Sequence, residues 1–203
     1  MKRARRVASL TGVFLLAACS RGGTAPPILA RATDGQIGIS QSVALAYDPS
    51  DGSLLRADQE GLFRWRSSVG WAEVQAPTST GFSSVVVDPD NPTTVYAGGV
   101  RFGVIRSDDS GETWREVNSG LPNLDVAALA LHSFQRETLF AWVEGVGIYQ
   151  TEDGGKSWLK MPDPGPPDPD VRALTHSTLA GSMNTGWLYA ATPTGVYLSM
   201  DCF

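Results

Sequence analysis

The feature that most constrains this chain is an eight-residue segment that occurs twice. Residues 107–114 read Ser-Asp-Asp-Ser-Gly-Glu-Thr-Trp, and residues 151–158, which begin 44 positions later, read Thr-Glu-Asp-Gly-Gly-Lys-Ser-Trp. A hydroxyl, a carboxylate, a glycine, a second hydroxyl and an indole return in the same order, which is far more specific than shared hydrophobicity. A repeat with this period predicts a stacked or radial architecture of similar units.

Four units of the repeat can be followed along the chain. Each contains a glycine followed by two apolar residues, with spacings of 42, 44 and 48 residues between Gly61, Gly103, Gly147 and Gly195. The first unit keeps a tryptophan, Trp71, but lacks the aspartate of the repeated segment. The fourth continues through Ser199 and Asp201 and stops at Phe203. The sequence therefore predicts two intact units, a degenerate first unit and a truncated last one.

Each unit shows the pattern of short β-strands. Apolar pairs precede each glycine by about seven residues, and earlier runs cover Val43–Tyr47, Val85–Val87, Ala127–Leu131 and Val171–Leu174. Short apolar runs separated by Gly, Pro, Asn and Asp are typical of strands and turns, and no helical stripe follows residue 20. Four strands in about 40–45 residues is the size of one β-propeller blade. We expect an all-β propeller of about four blades, each with four antiparallel strands.

The two repeated segments resemble the Asp-box (BNR) repeats of sialidases, sortilin-type receptors, xyloglucan-degrading hydrolases and photosystem II assembly factors. The run from Asp88 to Gly98 resembles the segment that precedes the box in several of these proteins. The resemblance covers about residues 40–203 and implies the propeller fold more strongly than any one function. In these families the box lies away from the active face, so the resemblance implies a structural role for it.

The box residues also have a physical reason to be structural. An aspartate can accept hydrogen bonds from the backbone of its own turn, and glycine permits positive φ. The tryptophans would bury a large face between neighbouring blades. The predicted structural positions are Ser107, Asp109, Gly111, Thr113, Trp114, Thr151, Asp153, Gly155, Ser157, Trp158, Ser199 and Asp201.

The N-terminus has the pattern of an export signal. Four basic residues precede an apolar stretch, Val7–Leu16, that is too short to span a bilayer as a mature helix. The following Leu-Ala-Ala-Cys resembles a bacterial lipobox, which implies cleavage before Cys19 and lipidation of its thiol. An ordinary signal peptide with an incidental cysteine is the alternative. We expect a signal peptide over 1–18, a flexible tether over 19–35 and the propeller over 36–203.

The net charge and the cysteine count restrict which partners and metal sites the chain can have. Without residues 1–18 the chain has 12 basic and 21 acidic residues, a net charge of −9 that argues against nucleic acid. If Cys19 carries lipid, Cys202 is alone, so neither a disulfide nor a cysteine-based metal cluster can form. Export and lipidation predict a location on the outer side of a bacterial membrane, at the cell surface or in the periplasm. We expect no cofactor.

One cluster raises the question of a metal. Alignment of the units places Asp48, Asp88, His132 and His176 at one equivalent position, and carboxylates with imidazoles suit a transition metal. These positions fall on the loop between the first and second strands, on the same side as the boxes. Asp-Pro pairs at two of them are turn starters. The sequence favours turns over a metal site.

A ligand face is expected on the opposite side, on loops between second and third strands and on the connections between blades. Charged and aromatic residues there form the candidate binding face: Asp58, Glu60, Arg101, Phe102, Trp142 and Glu144. Exposed arginine and aromatic residues are the types that carry interface energy. The proline-rich connection Met161–Asp170 is expected to be stiff and to project.

Two functions stay open. The favoured one is a membrane-tethered, non-catalytic propeller that binds a protein or glycan and scaffolds an assembly. The other is a truncated or degenerate Asp-box glycoside hydrolase. No motif gathers the arginines into the cluster that a sialidase would need, and none singles out the two carboxylates that glycosidases use, so no catalytic residue is predicted. The missing last strand leaves closure of the ring by Gln36–Ser40, an open arc or a shortened relative as alternatives.

Overall fold

The computed structural model describes residues 44–162, 165–177 and 186–199, and these form four antiparallel sheets. The strands, in chain order, are β1 (Ala44–Tyr47), β2 (Leu54–Asp58), β3 (Gly61–Arg66), β4 (Gly70–Glu73), β5 (Phe82–Val87), β6 (Val95–Gly99), β7 (Gly103–Ser107), β8 (Arg115–Glu116), β9 (Val126–Leu131), β10 (Leu139–Val143), β11 (Gly147–Thr151), β12 (Leu159–Lys160), β13 (Ala173–Ser177), β14 (Trp187–Thr192) and β15 (Gly195–Ser199). Each sheet is a meander in chain order, three of them with four strands and the last with three.

The four sheets are the blades of a β-propeller, as the repeat predicts. The first strand of each blade lies innermost, because β1 packs against β5, β5 against β9 and β9 against β13. Among the described strands, β13 makes no comparable contact with β1. Blade 4 differs from the prediction at its start, since its first strand begins at Ala173, two residues after the predicted Val171. Val171 instead donates its backbone N–H to the Pro169 carbonyl at 2.9 Å and lies buried.

Three apolar clusters fill the spaces between consecutive blades. The first joins Leu55 and Leu62 of blade 1 to Val85 and Ile105 of blade 2. The second packs Tyr96 and Val104 of blade 2 against blade 3, and the third packs Phe140 and Ile148 of blade 3 against blade 4. The core of this protein is therefore a series of sheet-to-sheet contacts, with side chains on both faces of blades 2 and 3 buried.

The repeated segments are the hairpins between third and fourth strands. The Ser107 hydroxyl donates to an Asp109 carboxylate oxygen at 2.7 Å and accepts from the Gly111 N–H at 2.7 Å. The Asp109 carboxylate accepts from the N–H and the hydroxyl of Thr113, at 2.8 and 2.5 Å. These bonds are of the kind that a structural role for the first box requires.

The second box repeats these bonds almost atom for atom. Thr151 donates to Asp153 at 2.8 Å and accepts from the Gly155 N–H at 2.9 Å. Asp153 accepts from the N–H and hydroxyl of Ser157, at 2.9 and 2.6 Å. Donation from the Thr113 and Ser157 side chains lowers the pKa of Asp109 and of Asp153 to about 2, so both carboxylates stay ionised at neutral pH.

The residue before each box glycine links its hairpin to the preceding blade. Ser110 and Gly154 have φ values of 61° and 71°, which turn their carbonyls outward from the hairpin. Arg64 of blade 1 donates to the Ser110 carbonyl at 2.8 Å, and Arg106 of blade 2 donates to the Gly154 carbonyl at 3.2 Å. Arg64 and Arg106 occupy equivalent positions in two repeat units, and each forms a hydrogen bond between two blades.

Trp158 closes the contact between blades 2 and 3. Its side chain is only 2% exposed, and its indole N–H donates to the Val117 carbonyl of blade 2 at 2.7 Å. The Trp158 backbone N–H also donates to Ser119, at 2.9 Å. Trp114 is half-buried in the cluster between blades 1 and 2, and its indole N–H stays within its own box, on the Gly111 carbonyl at 3.1 Å. The Trp158 indole thus packs between two blades, whereas the Trp114 indole is only partly covered by its neighbours.

Several predictions concern residues outside the described ranges: the signal peptide over 1–18, Cys19, the tether over 19–35, closure by Gln36–Ser40, and Asp201. Ser199 is the last residue of β15. Within the described ranges, no helical segment has the length and apolarity needed to cross a membrane.

Replacing Trp158 by alanine should destabilise the protein by about 3–5 kcal/mol, the range for deleting a buried aromatic side chain. The neighbouring Leu159 is 74% exposed, so Leu159→Ala is the matched control and should change stability by about 0.5 kcal/mol or less. Chemical denaturation measures the stability of both variants. Circular dichroism is the signal, because it does not rely on the fluorescence of the replaced tryptophan. Equal, small effects would show that Trp158 does not hold the blades together.

Candidate functional site

The meander topology gives the propeller two different ends. The loops between first and second strands share one end with the boxes, since Ser110 donates its N–H to Thr93 at 2.8 Å and Gly154 donates to Glu137 at 2.8 Å. The loops between second and third strands, together with the connections between blades, form the opposite end. We call that opposite end the loop face, and it is where the sequence places the candidate binding residues.

Hydrogen bonds to backbone groups connect neighbouring loops of the loop face. The Gly81 N–H donates to Gln59 of blade 1 at 3.2 Å, and the Gly81 carbonyl accepts from Val100 of blade 2 at 2.9 Å. Farther along, Asp125 receives the Arg101 N–H on its carboxylate at 3.0 Å and the Glu144 N–H on its carbonyl at 2.9 Å. The connections between blades therefore fix the loops of blades 1, 2 and 3 relative to one another.

Arg101 has the least usual backbone on this face. Its φ is 73°, in the left-handed region that costs a residue with a side chain about 1–2 kcal/mol. The bond from its N–H to the Asp125 carboxylate holds this conformation, and the side chain is exposed. A strained residue that the surroundings keep in place is a feature of functional surfaces.

The other candidate residues divide into exposed and structural ones. Glu60 and Glu144 are exposed as expected. Asp58 is 6% exposed, because its carboxylate accepts the Glu60 and Gly61 amides at 2.8 and 3.1 Å and pairs with Arg56 at 2.9 Å. It therefore shapes the turn and does not present a free carboxylate on the loop face.

The expectation that aromatic residues are exposed on this face is wrong for Trp142. Its side chain is 3% exposed, because alternation along β10 points it into the cluster between blades 3 and 4. Phe102 is half-buried, and its ring packs on Phe82 with a centroid distance of 5.0 Å. Charged side chains, and not aromatic rings, thus dominate the exposed part of the candidate set.

Sequence reasoning missed two residues that organise the loop face. Asp125 lies in a connection between blades and binds both neighbouring loops, as described above. Asn118 donates to the Phe102 carbonyl at 2.9 Å and accepts from the Val104 N–H at 2.7 Å. Both occupy connections that differ from blade to blade, so the repeat gives no signal for them. Asn and Asp at turn positions are the only hint that the sequence contains.

The described part of the proline-rich connection packs against blade 3, so it does not project freely. Gly165 lies so close to the Trp142 ring that an added Cβ would be 2.6 Å from it. A cleft of about 210 Å³ follows between blades 3 and 4, lined by residues that include Pro166, Ile148, Leu188 and Tyr197. Its walls are mostly apolar side chains of the two blades, which indicates imperfect packing beside the connection.

At the box end, His132 acts as a turn cap. Its Nδ1 accepts the N–H groups of Phe134 and Gln135 at 3.1 and 3.0 Å. Asp88 makes the same turn in blade 2, where its carboxylate accepts from Asp90 and Asn91 at 2.9 and 3.2 Å. Asp88 therefore starts a turn, as its Asp-Pro pair predicts, and the His132 imidazole does in blade 3 what that carboxylate does in blade 2.

His176 does not occupy the equivalent position, contrary to the alignment of the units. It lies within β13 and pairs with Leu188, which is the place that Leu131 holds in blade 3. Its ring stacks on that of His132 with centroids 4.1 Å apart, and its Nδ1 accepts the Ser133 N–H at 3.0 Å. The pair joins blades 3 and 4.

Asp48 is occupied as well. It accepts from the Ser50 N–H at 3.0 Å and forms a buried ion pair with Arg64 at 3.5 Å. Across the described ranges, no group of three or more His, Cys, Asp or Glu side chains could hold a metal ion.

Comparisons with known proteins agree with the fold. No family model matches the chain. The vacuolar protein sorting/targeting protein 10 of Colletotrichum graminicola is 32% identical over 79 residues, which is 39% of this chain and 5% of that protein. The chain thus spans a small part of the length of this curated relative, and the similarity is to one stretch of it.

Two solved structures are similar to most of the described chain. The extracellular domain of a candidate hybrid two component system from B. thetaiotaomicron has a TM-score of 0.58 at 15% identity, covering 78% of this chain and 23% of that one. The GH74 xyloglucanase of Xanthomonas campestris has a TM-score of 0.52 at 19% identity, covering 73% and 27%. At these identities the likeness shows the β-propeller fold.

The His132 cap predicts a stability that falls on mild acidification. Burial lowers the pKa of His132, so the folded state favours the neutral ring that accepts both amides. The unfolded chain then binds more protons, and stability is lost as pH falls below the ordinary histidine value of about 6.5. In His132→Asn the amide oxygen can accept the same bonds without titrating.

Denaturation curves at pH 7.5 and 5.5 measure this difference. The wild type should lose more stability than His132→Asn across the interval. An equal loss in the two proteins would show that His132 protonation is not linked to folding.

Proposed function

We propose that this protein is a non-catalytic propeller that binds a partner protein through its loop face, on the outer side of a bacterial membrane to which Cys19 tethers it. The observation that carries the proposal is that Arg101 has an exposed side chain on a fixed backbone. Its strained backbone is held by Asp125, and the same Asp125 positions Glu144. A rigid, charged surface of this kind binds without paying to order its loops.

A protein partner suits this face better than a glycan. Recognition of sugar rings draws on exposed aromatic faces, whereas Trp142 is buried and Phe102 is packed on Phe82. Arg101, Glu60 and Glu144 offer opposite charges on fixed loops, which gives orientation and specificity in protein–protein contacts. The similarity of one stretch of the chain to a vacuolar protein sorting/targeting protein is in line with a binding role.

The alternative is a glycoside hydrolase, and the GH74 likeness raises it through the fold alone. Such an enzyme needs two carboxylates on either side of the scissile bond. On the loop face, Asp58 is committed to its turn and Asp125 to the Arg101 backbone. The exposed Glu60 and Glu144 lie on loops of different blades, Glu60 in blade 1 and Glu144 in blade 3. These observations support the binding role over the enzymatic one.

The proposal predicts that partner binding depends on one end of the propeller. Arg101→Asn keeps a residue that tolerates positive φ and removes the guanidinium, and Glu144→Gln removes the second charge. Each should weaken binding of the partner by about tenfold or more, the cost of losing a central interface residue. Arg66, exposed beside Asp51 at the box end, gives the matched control Arg66→Asn.

The measurement begins with cross-linking of the full chain in membranes and continues with titration of the purified partner against each variant. Arg66→Asn should bind like the wild type. A glycan array and a panel of fluorogenic glycosides complete the test. Equal binding by all variants would exclude the loop face, binding to a glycan would replace the protein partner, and turnover of any glycoside would overturn the non-catalytic role.

A further inference from the structure

Blade 1 leaves uncovered a sheet face that its counterparts bury. In blades 2, 3 and 4 the first strand turns one apolar side chain to the preceding blade, and Val85, Leu129 and Leu174 are 3%, 2% and 8% exposed. The register places Leu45 at the same position in blade 1, and it is 63% exposed. The adjacent Tyr47, on the same face of β1, is 60% exposed.

In blade 4 the exposed face is the one that, in the other blades, packs against the following blade. In blades 1, 2 and 3 the residue after the strand-opening glycine packs on the following blade, and Leu62, Val104 and Ile148 are 1%, 0% and 2% exposed. Val196 holds this position in β15 and is 71% exposed. Leu198, two residues along the same face, is 40% exposed.

The uncovered face of blade 1 extends across all four strands. Cross-strand pairing puts Leu45 and Tyr47 on one face with Leu54, Phe63, Trp65 and Trp71. Arg56 lies among them, with its guanidinium 4.4 Å from the Phe63 ring centroid and 5.2 Å from that of Trp71. Its charge is already paired with Asp58, and the face also carries the exposed Glu73, which lies opposite Phe63 on the outer strand.

The two faces also match in what they lack. Arg64 of blade 1 and Arg106 of blade 2 each donate to the box of the following blade. The equivalent position in blade 4 is occupied by Leu198. In blades 2 and 3 the hairpin between the third and fourth strands is a box that offers a carbonyl to the preceding blade. The equivalent hairpin of blade 1 is short and carries Val69, which is 72% exposed, and Trp71, which is 45% exposed. Both halves have replaced the polar link by apolar side chains, so they are complementary to each other.

We propose that blade 4 of one copy of this chain packs against blade 1 of a second copy, continuing the contact that the chain makes three times within itself. Each copy carries both faces, so the contact is heterologous and must either close or polymerise. Two copies would close a ring of eight blades, at the upper end of the range of about 4–8 that propellers form. The structure thus points to a closed dimer.

The oligomeric state of the full chain tests this proposal. Sedimentation equilibrium is performed on the 203-residue protein with Cys19→Ser, so that no acyl chain contributes to the mass. A dimer is expected. A monomer would show that another part of the chain covers these faces, and open-ended association would contradict closure; either result overturns the proposal.

Single substitutions then identify the faces. Leu45→Glu and Val196→Glu should each weaken the dimer by at least about tenfold, since each buries a charge in an apolar contact. Leu159→Glu, at an exposed leucine outside both faces, is the matched control and should stay dimeric. Circular dichroism verifies that the variants are folded, and a folded Leu45→Glu or Val196→Glu that dimerises like the wild type overturns the proposal.

Mixing the two variants distinguishes a heterologous contact from a symmetric one. Blade 4 of the Leu45→Glu protein and blade 1 of the Val196→Glu protein are both intact, so tagged Leu45→Glu should capture Val196→Glu and should fail to capture untagged Leu45→Glu. Capture in neither combination, or in both, would contradict the head-to-tail arrangement.

Discussion

The structure depends on the contact between one blade and the hairpin of the next. An arginine on the third strand crosses to a box carbonyl, and an indole fills the space beside it, as Arg106, Gly154 and Trp158 show between blades 2 and 3. The aspartate of the box makes this possible, because its carboxylate holds the turn that points the carbonyl outward. Hydrogen bonds within the turn therefore place the carbonyl that binds the neighbouring blade.

This arrangement explains why a chain of short strands is stable. A single blade of four strands, some of only two residues, has little apolar surface within itself. It gains a core only by covering a neighbour, which is the logic of repeat architectures. The same dependence makes an uncovered face, such as that around Leu45 and Val196, the most informative part of the molecule.

Much of the fold could be predicted from the sequence, because the box is local. Ser107 and Asp109 act on amides within four residues, so their spacing alone specifies the turn. The strands follow from their alternation and from the glycines that open them. The first strand of blade 4 was harder, since its distance from the glycine differs by insertion, and this shift misplaced His176 by one residue and hence onto the other face of the sheet.

The candidate site was less predictable, for a different physical reason. Its residues were selected by loop position, and exposure depends on packing that the repeat does not encode. Trp142 is near a loop in sequence, but alternation along β10 turns it into the core. Asp125 organises the loop face through bonds to residues 24 and 19 positions away, and nothing local in the sequence reports them.

The most direct measurement of the central claim is native-state hydrogen exchange of Arg106→Met compared with the wild type. The substitution lies in blade 2, whereas its bond partner Gly154 lies in blade 3. If contacts between blades hold the protein together, the amides of residues 153–158 in blade 3 should exchange at least about tenfold faster. Faster exchange confined to the strands of blade 2 would contradict this account.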